Sequence, residues 1–189
     1  MRPISAQRGR AAASRARVVD VVAFKFMKKL GLKKPDFLPD FGKPKGLGES
    51  KASTEKVYSD VTASQMWAVL KAWDAPYIAK GSGAEVASTS GSGVGAMRVI
   101  KFGEAQFDEE LILCDDAKMA FAYTIPNDDA PFPMKNYGAK CYGMDTNDGG
   151  CSVTWTGCCD VTEGTIEDLK LNELFDGFID AAHDMAVAK

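Results

Sequence analysis

Between residues 96 and 125 the chain alternates apolar and polar side chains in three successive runs, 96–102, 107–114 and 119–125, separated only by short turn signals. A period of two puts every second side chain on the same face, so each run reads as a strand with one buried face. Connections this short leave room only for antiparallel neighbours. The stretch is therefore a meander, and the rest of the chain has to cover its apolar face. A further strand is expected over residues 56–61, then a short helix over 65–73 opened by a Thr62/Gln65 capping box, with Met66, Trp67, Leu70 and Trp73 facing inward. A second short helix is expected over 75–83. Two more strands, 134–143 and 152–161, flank the turn sequence DTNDGG at 145–150, and a long amphipathic helix is expected over 166–187 with Thr165 as its N-cap. Gly91, Gly93 and Gly95 lead into a strand, whereas a phosphate cradle must feed a helix N-terminus, so they read as a hairpin turn.

This order of elements resembles the helix-grip fold of the START/Bet v 1-like (SRPBCC) superfamily, in its polyketide cyclase/dehydrase-like branch. The residues that carry the resemblance are GVGAMR at 93–98, EELILCDD at 109–116, Tyr123, FPMKNY at 132–137, VTW at 153–155 and FDGFIDAA at 175–182, and it spans about residues 52–189. It implies an α+β domain in which a seven-stranded antiparallel sheet wraps a long C-terminal helix. It also implies a cavity between them for a hydrophobic molecule: a lipid, pigment or polyketide. These are fold-building patterns and include no catalytic signature.

Charge divides the chain in two. Residues 1–50 hold twelve Lys and Arg against four acids, net +8, and residues 51–189 hold eleven against twenty-two, net −11. The expected domains follow that division, a basic arm over 1–50 and the helix-grip domain over 51–189, with a linker over 46–53. The first seventeen residues carry five arginines and no acid, the composition of an organelle transit segment. Residues 18–32 place Val19, Val22, Ala23, Phe26, Met27 and Leu30 at helical spacing with lysines between them, a short basic amphipathic helix. Residues 32–45, LKKPDFLPDFGKPK, should be extended, because proline removes donors and restricts the residue before it. Phe24, Lys25, Phe26, Lys28, Lys29, Phe37, Leu38 and Phe41 are the expected contacts to a partner, a larger protein complex at a membrane surface. An acidic body argues against nucleic acid as a ligand.

Five cysteines without a CxxC pair read as reduced thiols, and a single histidine gives no basis for a metal site. That histidine, His183, falls beside Asp180 and Asp184, about 140° around the helix from Phe178, and is expected on the solvated face. A Ser-His-Asp or Cys-His centre would have to use it, so no catalytic residue is assigned. The candidate ligand residues are Arg98, Glu109, Tyr123, Tyr137, Trp155 and Phe178. Arg98 is in phase with Ala96, Ile100 and Phe102, and Glu109 with Phe107, Leu111 and Leu113; if those sets face inward, the two charges share the interior and pair, since a lone buried charge is costly. Gly177 and Ala181 are expected to thin the helix surface and enlarge the space.

The expected function is a non-catalytic, hydrophobic-ligand-binding domain tethered by its arm to a membrane-associated complex, as an accessory subunit of a plastid photosynthetic assembly. The expected location is the chloroplast, peripheral to a membrane, with the mitochondrion or cytoplasm as alternatives. The rival expectations are a polyketide cyclase, aromatase or dehydratase that uses Arg98, Glu109 and a tyrosine as acid and base, and a lipid carrier.

Overall fold

The computed structural model describes residues 47–126 and 130–188. The arm expectations, including Phe24, Lys25, Phe26, Lys28, Lys29, Phe37, Leu38 and Phe41, lie outside the described residues. In chain order the elements are β1 (Ser50–Tyr58), α1 (Ala63–Leu70), α2 (Pro76–Ser82), β2 (Glu85–Ser90), β3 (Met97–Phe102), β4 (Ala105–Asp115), β5 (Ala120–Thr124), β6 (Met134–Asp145), β7 (Cys151–Val161) and α3 (Leu171–Val187). The seven strands form one antiparallel sheet in the order β1-β7-β6-β5-β4-β3-β2. The three meander runs are β3, β4 and β5.

The first strand begins earlier than its sequence suggests. β1 pairs with β7 over nine positions, from Ser50 opposite Cys159 to Tyr58 opposite Cys151, so Ser50–Ser53 of the expected linker is strand. The chain is already anchored two residues before that, where the Gly48 amide donates to the Asn136 carbonyl at 2.9 Å. Leu47 occupies the space where a side chain on Gly138 would sit. Burial alternates along β1, but as an edge strand it buries only Ala52, so its sequence SKASTEKVY shows no apolar alternation. β2, at the other edge, is mostly exposed and made largely of Ser, Thr and Ala, so periodicity did not mark it.

Helix α1 starts as expected: the Thr62 side chain accepts from the Gln65 amide and the Gln65 side chain accepts from the Thr62 amide. It ends at Leu70, leaving Trp73 in the following turn. Helix α2 carries Pro76 in its first turn and closes on Gly83 at φ 76°, a left-handed position that suits glycine. Helix α3 begins five residues later than expected. Thr165 does not cap it; the Thr165 amide and hydroxyl donate to Asp168 Oδ2 at 2.8 and 2.9 Å, closing a separate turn. The helix instead opens after Lys170, itself left-handed at φ 51°.

α3 buries Leu171, Phe175, Phe178, Ile179, Ala181, Ala182 and Ala186 against α1, α2, β1 and β7. Gly177 has a different role from the one expected. A Cβ there would run into the Gly81 carbonyl, and a Cβ on Gly81 would stand 2.5 Å from the Gly177 carbonyl oxygen. The two glycines let the backbones of α2 and α3 touch, which closes space between the helices instead of opening it. No helix among the described residues is long and apolar enough to cross a membrane.

Candidate functional site

β3 and β4 place Arg98 directly opposite Glu109. Alternation points both inward with Ala96, Ile100, Phe107 and Leu111, all buried. Phe102 breaks the expected set: it is 41% exposed at the hairpin end. Leu113 also leaves it, because a bulge between Leu111 and Leu113 shifts the register against β5. The ion pair itself is as expected. Arg98 Nε donates to Glu109 Oε2 at 2.7 Å and Nη2 lies 2.6 Å from the same oxygen in the ion pair, with side chains 1% and 8% exposed.

Rings complete the surroundings. The Arg98 guanidinium lies 4.1 Å from the centre of the Trp73 ring and 5.2 Å from that of Tyr123. A desolvated cation on a ring face is worth about 2 kcal/mol. Tyr123 also meets Tyr137, their hydroxyls 3.5 Å apart, and packs edge-on to Trp155 at 6.3 Å. Trp155, fully buried, stacks on Phe175 at 5.7 Å and meets Phe178 at 5.4 Å. Arg98, Glu109, Tyr123, Tyr137, Trp155 and Phe178 therefore share one interior. Sequence reasoning missed Tyr77 and Phe121, whose rings lie 6.2 and 5.3 Å from Trp155. It also missed that Trp73 covers the ion pair. The available signal for Tyr77 was its position just after Pro76, in the first turn of α2.

The electrostatics follow from burial. Burial raises the Glu109 carboxyl above its ordinary value, opposed by the charge of Arg98. Burial works against the Arg98 charge, but the Glu109 carboxylate more than offsets it, so the guanidinium titrates above its ordinary value. Burial pushes up the phenols of Tyr77, Tyr123 and Tyr137 as well. Arg98 and the three phenols are therefore held in their protonated forms more firmly than in water.

Three buried side-chain nitrogens have no hydrogen-bond partner among the described residues: Trp73 Nε1, Arg98 Nη1 and Trp155 Nε1. All three are donors. Tyr123 is the common neighbour of the groups that carry them, being in ring contact with Trp73 at 6.5 Å and Trp155 at 6.3 Å and in cation–π range of Arg98.

His183 stands apart from this interior. Its Nε2 is 2.8 Å from Asp60 Oδ1 and its ring stacks on Tyr58 at 4.0 Å. With Lys56 on Asp180 at 2.5 Å and the Tyr58 hydroxyl on the same carboxylate at 2.7 Å, it pins the outer side of α3 to β1. The hydrogen bond from His183 holds the Asp60 carboxyl below its usual range. A separate surface depression of about 170 Å³ is lined by Ala52, Ile166 and Leu171 together with Lys51, Glu167 and Glu173, and contains none of the candidate residues. Among the described residues no cluster of His, Cys, Asp and Glu could hold a metal, and the five cysteines are free thiols.

The sequence pattern of a family described as "polyketide cyclase / dehydrase and lipid transport" matches residues 50–188. The chain belongs to this family. Solved structures agree on the fold. The crystal structure of Ara h 8.0201 is 11% identical, covering 74% of this chain and 98% of that one with a TM-score of 0.58. A crystal structure of an uncharacterised protein from Bacillus thuringiensis is 17% identical, covering 74% of this chain and all of that one, also at 0.58. A solution structure from Thermobifida fusca is 26% identical over 74% of this chain and 89% of that one, at 0.52. No curated protein matches the sequence. Membership brings the expectation of a hydrophobic small molecule to an interior that already holds a paired charge and unused donors.

Proposed function

We propose that this member of the family is a binding domain, which holds a hydrophobic ligand between the sheet and its helices with the ligand's polar end at Arg98. The observation that carries this is the set of three unpartnered donors beside a buried ion pair, all within an aromatic interior. A buried donor without an acceptor costs about 1–3 kcal/mol, and a ligand oxygen removes that cost. Binding is favoured over catalysis because Glu109, the one buried carboxylate among the described residues, is paired with the Arg98 guanidinium, and a paired carboxylate is a weaker base. The rings pack against one another at 5.3–6.5 Å, so a ligand enters by parting the α1–α2 unit, with Trp73 and Tyr77, from the sheet, with Tyr123 and Trp155. Titration with the neutral probe N-phenyl-1-naphthylamine tests this. Saturable binding that Trp155→Phe weakens supports it, and no uptake at any concentration short of denaturation removes it.

The proposal extends to the arm. Its net charge of +8 and its apolar residues suit attachment to a membrane-associated complex, and its arginine-rich start suits import into a plastid, where the protein would serve as an accessory subunit. Deleting residues 1–45 should release the protein from membranes and leave the melting temperature of the domain unchanged. Equal co-sedimentation of full-length and truncated protein would remove the tether. Reversing Lys25, Lys28 and Lys29 to Glu should weaken attachment more than changing Phe37 and Phe41 if the target is an anionic bilayer; the opposite ranking indicates a protein groove.

A further inference from the structure

We infer that Asp116 is a latch: its exposed carboxylate holds down the C-terminal end of α1, and its release lets Trp73 lift off the Arg98–Glu109 pair and opens the interior. This rests on the binding role proposed above and adds what controls access to it.

Helix α1 is tied to the sheet at both ends by an aspartate, and the two ties differ in kind. At its start the Asp145 carboxylate, at the end of β6, accepts from the Ala63 amide at 2.9 Å beside the Thr62/Gln65 box. That contact is part-buried and made to the backbone, which suits a hinge. At the other end the tie runs through side chains. Trp67 Nε1 donates to Asp116 Oδ1 at 2.7 Å, and Lys71 Nζ donates to the same oxygen at 3.0 Å. Asp116 stands in the turn between β4 and β5, its side chain 71% exposed and that of Lys71 45% exposed. The other cation of that turn, Lys118, is engaged by Asp115 at 3.0 Å, which leaves Asp116 to α1. Water competes for both charges of an exposed pair, so such a contact is weak. Both contacts also converge on one oxygen, so a single movement breaks them together.

What lies behind the latch is placed to move. The Tyr77 hydroxyl donates to the Leu70 carbonyl at 3.1 Å, so α1 and α2 travel as one piece. The far ends of that piece are held, α1 at Asp145 and α2 where Gly81 meets Gly177 of α3. The corner between the helices, residues 71–75, is what can lift. It carries Trp73, whose ring covers the Arg98 guanidinium at 4.1 Å and whose indole nitrogen has no hydrogen-bond partner among the described residues. It also carries Ala75, left-handed at φ 40° and ψ 60° without being glycine, so the closed corner is strained.

Stopped-flow mixing of the full-length protein with N-phenyl-1-naphthylamine tests the latch. Asp116→Ala should raise the association and dissociation rates together by about tenfold, the combined effect of one hydrogen bond and one exposed ion pair, and leave the dissociation constant nearly unchanged. Asp116→Asn, which keeps an acceptor for Trp67 and loses the charge facing Lys71, should fall between. The latch can also be locked shut. Cys114 lies close enough to Lys71 to feel its charge, so Lys71→Cys places two thiols across it. Bridging them with dibromobimane should slow uptake about tenfold or more, whereas the reagent should have no such effect on Lys71→Cys/Cys114→Ser. If the probe binds but Asp116→Ala leaves both rates unchanged, or the bridge leaves uptake unchanged, the latch falls and the binding role stands. If the wild-type protein takes up no probe, both fall together.

Discussion

Replacing Arg98 with methionine is the sharpest test of the interior described above. The substitution keeps a flexible apolar side chain of similar reach and removes the charge. It leaves the Glu109 carboxylate, 8% exposed, without the hydrogen bond at 2.7 Å and the ion-pair contact at 2.6 Å that now meet Oε2. Removing one partner of a buried pair leaves an uncompensated buried charge and costs about 3–5 kcal/mol. In a domain of this size that is a fall of roughly 10–15 °C in melting temperature. The loss has a pH signature. In the unfolded chain Glu109 titrates near 4.3; in the folded variant burial, which already raises it, acts without Arg98 to oppose it. A raised folded value means that the protonated form is favoured on folding. The destabilisation should therefore be nearly absent below pH ~4 and grow as pH rises through the folded value. The double variant Arg98→Met/Glu109→Leu removes both charges, and should recover most of the loss at neutral pH. Urea unfolding of the three variants at acid and neutral pH forms the double-mutant cycle. A cost below about 1 kcal/mol for Arg98→Met, equal at both pH values, would refute the argument, because only a solvated carboxylate behaves that way.

Gly177→Ala should destabilise the domain by about 2 kcal/mol or more, seen as a lower urea midpoint, since the added methyl meets the Gly81 backbone, with its carbonyl carbon at 3.1 Å; an unchanged midpoint would mean that the two helices can separate freely. Cys114, exposed, should react with a thiol reagent at once, while Cys141, Cys151 and Cys159, buried and with their thiols raised by burial, should react only on unfolding. The phenols of Tyr58, Tyr77, Tyr123 and Tyr137 are all raised, chiefly by burial, so their contribution to stability is complete below pH ~10, the unfolded value, and is lost as pH rises beyond it. Phenolate absorbance from these four should appear together with the loss of native circular dichroism; their ionisation in a still-folded protein would contradict the burial.

The alternation of residues 96–125 was enough to establish β3, β4 and β5, and with them the inward phase of Arg98 and Glu109, because side-chain direction along a strand is a local property with a period of two. The capping box at Thr62 and the apolar face of α3 are local in the same sense, and both were legible. So was the position of His183 away from the interior.

The edge strands were legible only in part: the strand expected over 56–61 overlaps the end of β1, and β2 was not marked. β1 and β2 are ordered by hydrogen bonds to a single neighbour and bury little, so their sequences carry almost no pattern. The start of α3 was misread because Thr165 and Asp168 satisfy each other in a local turn, which resembles a cap in sequence. Gly177 was read as making room, and only the approach of Gly81, ninety-six positions earlier, shows that it removes room. The three unpaired donors are likewise a property of the assembled interior. Whether a buried N–H finds an acceptor depends on every chain segment packed around it, and no window of sequence contains that information.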